Sequence, residues 1–205
     1  MIDDIKLDDL QKDALKEYGS ICAGNASASL SQMFDRHVKI NTHDTEIISI
    51  DKAVEIVGGG DVRVLSIEFR IFGEASGKVL IIFTKADAGS FLSILGGGRN
   101  SSHSITSVNE SMLKETGNII AGSYMNALAS IMKKRIILSM PVITKDTMGS
   151  VISENIEEMD DYSENILYMN IEYEENINKI KGTFIILPDK DMMNILLDVT
   201  SVKES

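Results

Sequence analysis

A chain of 205 residues, 43% apolar and 25% charged, can bury a core without covalent staples. Its formal net charge of −11 repels nucleic-acid phosphates and anionic lipid headgroups alike, so neither is expected as a partner. A single cysteine excludes an intrachain disulfide and a cysteine-built metal site, and three scattered histidines (His37, His43, His103) lack the spacing of a zinc site.

The chain opens on MIDDIKLDDLQKD, which is acidic, whereas a signal peptide begins basic and then runs apolar. No run approaches the roughly 18 apolar residues of a membrane span. The chain is read as cytoplasmic.

A long helix is predicted within residues 13–41, DALKEYGSICAGNASASLSQMFDRHVKIN, leading into a strand. Leu15, Cys22, Ala26, Leu30 and Met33 fall on its inward stripe, and Asp13, Glu17, Ser20 and Gly24 on the outward one. Cys22 is accordingly a small buried hydrophobe. An irregular stretch follows, with Gly58–Gly60 as a turn. Residues 62–73 and the run beginning at Lys78 read as a strand hairpin, and the segment after Asp87 as a short helix. The spacer 96–109, GGGRNSSHSITSVN, reads as a loop. Neither glycine run carries the Lys-Ser/Thr of a phosphate loop, and no GxGxxG occurs, so nucleotide binding is unsupported.

The same order then returns. Residues 111–139, SMLKETGNIIAGSYMNALASIMKKRIILS, match the first long helix 98 positions later without a gap, pairing Gly19 with Gly117 and Ala23-Gly24 with Ala121-Gly122. Leu113, Ile120, Tyr124, Leu128 and Ile131 face inward, while Glu115, Asn118 and Gly122 face water. Residues 165–176 and 182–199 repeat the hairpin and short helix, with Asp191 in the place of Asp87. The acidic stretch Glu154–Asp161 reads as a solvated face or loop, with a contact to a basic partner as the alternative, and methionines such as Met192 and Met193 as core filler.

The expected fold is α+β. Two pseudo-symmetric repeats, about 7–95 and 105–200, share a mainly antiparallel sheet with the long helices packed on one face. Residues 96–104 join the repeats, and the whole of 1–205 is one domain.

An outward polar stripe is ordinarily a solvated face. Here Glu115 and Asn118 are spaced i,i+3, so their tips can enter one cleft together. Asparagine is a poor helix former, and a helical glycine costs about 1 kcal/mol against alanine. Glutamate, amide and flat glycine together look like a docking surface for another protein.

Ser111, Glu115, Asn118 and Pro141 stand at the spacing of the active-site signature of the CheC–CheX–FliY phosphatases of chemotaxis, and the paired frame resembles that family over nearly the whole chain. Two repeats of this length, ending at Ser205, resemble its CheC-like branch. In the first half Asp13 and Glu17 match, but Ser20 stands for asparagine and His43 for proline; Asn25 aligns with Ser123 and is no substitute. This first site is expected to be degenerate.

The resemblance implies hydrolysis of the aspartyl phosphate of the response regulator CheY. Asn118 would position an in-line water and Glu115 would pair with a regulator lysine. Ser111 would add a contact or help begin the helix, Gly122 would admit a close approach, and Pro141 would shape a strand edge. No cofactor of its own is expected; Mg²⁺ would belong to the regulator. The resemblance leaves open an adaptor for the receptor deamidase CheD with little activity of its own. A duplicated domain without catalysis is the remaining reading.

Overall fold

Each long helix starts and stops on local signals. In the computed structural model, which describes residues 5, 7–95, 107–175 and 178–201, helix α1 spans Asp9–Phe34. Asp8 caps it: its carboxylate accepts from the Gln11 amide at 2.8 Å while Gln11 Oε1 accepts from the Asp8 amide at 2.9 Å. Its counterpart α4 spans Ser107–Met132, so the expected loop at 107–109 is helical; residues 96–106 lie outside the described residues. The helices end on left-handed residues at matching places, Asp35 (φ 50°) and Lys133 (φ 51°).

After α1 come β1 (Lys39–Ser49), α2 (Ile50–Val57), β2 (Arg63–Gly73), β3 (Gly77–Thr84) and α3 (Lys85–Leu95). After α4 come β4 (Ile136–Leu138), β5 (Val142–Thr147), α5 (Met148–Glu157), β6 (Asn165–Glu175), β7 (Asn178–Pro188) and α6 (Lys190–Ser201). The stretches expected to be irregular are therefore the helices α2 and α5. Each is capped by a hydroxyl at the same repeat position: Ser49 accepts from the Lys52 amide at 3.4 Å and Thr147 from the Ser150 amide at 3.2 Å.

The seven strands form one sheet in the order β1-β6-β7-β3-β2, with β4 and β5 both lying along the outer side of β2. Every pairing is antiparallel. The halves exchange partners: β1 of the first pairs with β6 of the second, and β5 of the second with β2 of the first. The α+β architecture with a shared antiparallel sheet is thus as the sequence predicts.

Alternation along the strands sends side chains to two layers. Leu65, Ile67 and Phe69 of β2 and Val79, Ile81 and Phe83 of β3 meet the long helices together with α3 and α6. Val64, Leu80 and Ile82 point the other way, onto Ala53 of α2 and Val151 of α5. Both long helices lie on one face, as expected, and two short helices cover the second. Met192 and Met193 are buried core residues.

Ile131 and Met33, expected inward, are 41% and 38% exposed. The buried rows continue at i+4 instead, from Leu128 to Met132 and from Leu30 to the core-packed Phe34. Where each long helix crosses the sheet there is a glycine. A Cβ on Gly19 would stand 2.4 Å from Thr45 Oγ1 of β1, and one on Gly117 would stand 2.8 Å from Ile67 Cγ2 of β2.

Candidate active site

The second long helix is held at three points along its inward face. Gly117 seats it on β2, the Tyr124 ring stacks on Phe184 at 4.5 Å, and Tyr124 shares a 2.8 Å hydroxyl hydrogen bond with Thr42 of β1. The Tyr18 hydroxyl of α1 donates to the Tyr124 carbonyl at 2.8 Å, and the Cys22 thiol approaches the same oxygen at 3.8 Å. Burial raises the pKa of all three groups, Cys22 to about 12, so each keeps its proton at neutral pH. This clamp joins the two repeats. Tyr124 was legible as a core residue; its polar end was not, because nothing in a helical period signals a partner on a distant strand.

On the face of α4 opposite this clamp, Ser111 and Glu115 are exposed and Asn118 is partly exposed. Among the described residues the side chains of Glu115 and Asn118 make no internal hydrogen bond or ion pair. A Cβ added to Gly122 would meet nothing within 4 Å, so its missing side chain serves no internal packing. Nearer the helix start, Glu110 and Lys114 form an i,i+4 bridge of 2.7 Å, which lowers the pKa of the Glu110 carboxyl.

Pro141 is buried in the gap between β4 and β5. Proline brings no amide hydrogen, and the edge ladder along β2 is interrupted here. Ser139 fills the interruption: its amide donates to the Arg70 carbonyl and its Oγ accepts from the Arg70 amide, both at 2.9 Å. In the first half the equivalent place is His43, where β1 shifts register against β6 between Thr42 and Asp44. Each repeat therefore breaks its edge strand at the same point, one with proline and one with a bulge. His43 is exposed and lies 3.8 Å from Glu172.

The first-half stripe is also solvent-facing: Asp13, Glu17, Ser20 and Gly24 are all exposed. The Ser20 hydroxyl, however, donates back to the Lys16 carbonyl of its own helix at 3.0 Å. It does not project as a carboxamide would. Among the described residues no three His, Cys, Asp or Glu side chains gather as a metal site. No helix among them is long and apolar enough to cross a membrane.

Comparison with known proteins shows what the chain is similar to. Residues 108–144, which hold Ser111, Glu115, Asn118 and Pro141, match the CheC-like family. The chain is 32% identical over 188 residues to the CheY-P phosphatase CheC of Bacillus subtilis, covering 88% of this chain and 89% of that protein. It is 25% identical over 137 residues to the flagellar motor switch phosphatase FliY of the same organism, covering 66% of this chain but only 35% of that longer protein. Among solved structures, Thermotoga maritima FliY superposes with a TM-score of 0.75 at 16% identity, over 98% of this chain and 100% of that one, a likeness of fold.

Proposed function

The chain belongs to the CheC-like family of chemotaxis phosphatases, and from that premise we propose that it hydrolyses the aspartyl phosphate of a CheY-type response regulator at the outward face of α4. The observation that carries this reading is the pair Glu115 and Asn118. They stand one turn apart on a helix fixed from behind, without internal partners, beside the open surface at Gly122.

An acyl phosphate has a good leaving group, so the task is to place a water rather than to activate it strongly. The Asn118 carbonyl accepts a hydrogen from that water and holds its oxygen in line with phosphorus. As the water oxygen bonds to phosphorus, the bond from phosphorus to the aspartyl oxygen breaks. The products are the regulator's free carboxylate and inorganic phosphate, which retains the water's protons or releases one to solvent. An amide cannot deprotonate water, so turnover is nearly flat with pH around neutrality. Glu115 pairs with a cation of the regulator and sets the register of docking. Ser111 adds a contact at the start of the stripe, Pro141 fixes the neighbouring sheet edge, and the Mg²⁺ that shields the phosphoryl group is the regulator's.

Hydrolysis of phosphorylated CheY by the purified protein tests this. Asn118→Ala is expected to remove at least about a hundredfold of the stimulated rate. Its unfolding free energy stays within about 0.5 kcal/mol, since the side chain is not packed. Unchanged turnover in that variant refutes the assignment.

The second reading, an adaptor for CheD, is favoured by the first-half stripe, which is exposed and yet lacks the amide. In that case the protein co-purifies with CheD, more strongly when activated CheY is present. Failure to do so under both conditions rejects the adaptor.

A further inference from the structure

At one end of the sheet, on the long-helix face, lies a half-open hollow of about 290 Å³ that none of the stripe residues line. Its apolar surface comes from Leu65 of β2 and from Ala88 and Leu92 of α3, all three largely withdrawn from water. Its rim comes from three cations on three different elements: Arg63 of β2, Lys85 of α3 and Lys145 of β5. The β2–β5 register explains the convergence. Leu65 pairs with Lys145, so both point to the same side of the sheet, and Arg63 follows at the next alternate position.

The charges do not cancel locally. Arg63 reaches Asp146 at 3.4 Å, but among the described residues neither Lys85 nor Lys145 has a carboxylate within ion-pair distance. The nearby acids are engaged elsewhere. Asp87 accepts from the Thr84 hydroxyl at 2.6 Å, and Glu110, whose field Lys145 feels, is bridged to Lys114 at 2.7 Å. Lys85 and Lys145 thus keep their charge free over one apolar hollow. Some lysines of this molecule are neutralised, as Lys78 is by Glu158 at 2.6 Å and Lys179 by Glu172 at 2.9 Å, and others such as Lys16 and Lys52 stand unpaired among the described residues on open surface; what sets Lys85 and Lys145 apart is the apolar hollow between them.

We infer that this hollow is a binding site for a small organic anion, a carboxylate head held by Lys85, Lys145 and Arg63 with a short hydrocarbon body against Leu65, Ala88 and Leu92. The volume falls just under that of small-molecule pockets, which begin near about 300 Å³, and suits a short ligand. An apolar wall with a few convergent charged groups is their usual chemistry. Two ammonium groups and a guanidinium outweigh the carboxylates of Asp146 and Asp87, Glu110 being bridged to Lys114, so the head is anionic. The apolar floor gains nothing from a bare inorganic ion. The site is independent of the phosphatase reading, since neither Glu115 nor Asn118 takes part in it.

Octanoate titrated into the full-length protein, followed by backbone amide chemical shifts, tests the inference. Saturable shifts are expected at Leu65, Ala88 and Leu92. Acetate and inorganic phosphate, which have charge without a body, and 1-octanol, which has the body without charge, should each bind at least about tenfold more weakly. The exposed double substitution Lys85→Gln, Lys145→Gln should weaken octanoate by about tenfold or more without moving the melting temperature. Octanoate shifts confined to other surfaces overturn the proposal. So does octanol, acetate or phosphate binding as tightly as octanoate, or a double variant that binds octanoate like the parent.

Discussion

Asn118 and Ser20 occupy equivalent places on the two long helices, yet their side chains do opposite things. The serine hydroxyl turns back to the Lys16 carbonyl, whereas Asn118 has no internal partner to turn to. Charge at the neighbouring position makes a separate prediction. Glu115→Lys should raise KM for phosphorylated CheY roughly tenfold and lower kcat far less, because an interfacial ion pair governs encounter and register. Steady-state kinetics with both parameters resolved checks this. A further residue matters to stability rather than catalysis. Glu158 holds the buried Lys78 ammonium at 2.6 Å and Arg70 at 2.5 Å, and the Lys78 hydrogen bond lowers its carboxyl below the ordinary 4.5. A carboxyl lowered in the folded state stabilises above its unfolded pKa. That contribution is therefore whole above about pH 4.5 and fades as acid titrates the folded carboxyl. Glu158→Gln should cost about 1 kcal/mol at neutral pH, since Lys78 stays buried without its counter-charge while water screens the half-exposed carboxylate. The gap to the parent should narrow as pH falls through the lowered folded pKa, which a series of urea melts from pH 7 downward would show.

At the scale of the element, two glycines five residues apart on α4 separate packing from surface. Gly117→Ala forces a methyl against Ile67 Cγ2 at 2.8 Å, and that β-branched neighbour is rigid and fully buried. A loss of about 1–3 kcal/mol is expected. Gly122→Ala meets open space, removes backbone freedom from the unfolded chain, and should raise the melting temperature by about 2–3 °C. Thermal melts of the pair decide; equal effects would contradict the placement of α4. The edge strands tell a related story. Pro141 was legible as a strand-edge device, but the bulge at His43 was not, since histidine carries no backbone constraint. The helices α2 and α5 escaped sequence reading because IDKAVEIV and MGSVISENIE are short and rich in β-branched residues, although Ile50, Ala53, Val54 and Val57 do stand at helical spacing. Their second layer places Glu158 at the α5 end, and Asp161 beyond it forms an ion pair with Lys190; a solvated acidic run predicts neither contact.

For the whole molecule, the exchange of edge strands makes each half incomplete. Without residues 107–201, β1 loses β6, β3 loses β7 and β2 loses its outer partner. A fragment ending at residue 95 should therefore stay unfolded by circular dichroism, and the full chain should melt in one transition; a folded fragment would show that the halves are separate domains. What the residues alone determined is what is local. The repeat, the helical stripes and the outward position of Glu115 and Asn118 follow from periods of a few residues, and so does the family signature they carry. Tertiary structure alone decided which half pairs with which, that short helices cover the second face, that Tyr18, Thr42 and Tyr124 lock the two long helices, and that Arg63, Lys85 and Lys145 meet over one hollow. Those arrangements join residues tens of positions apart, and no spacing along the chain encodes a contact that only sheet order creates.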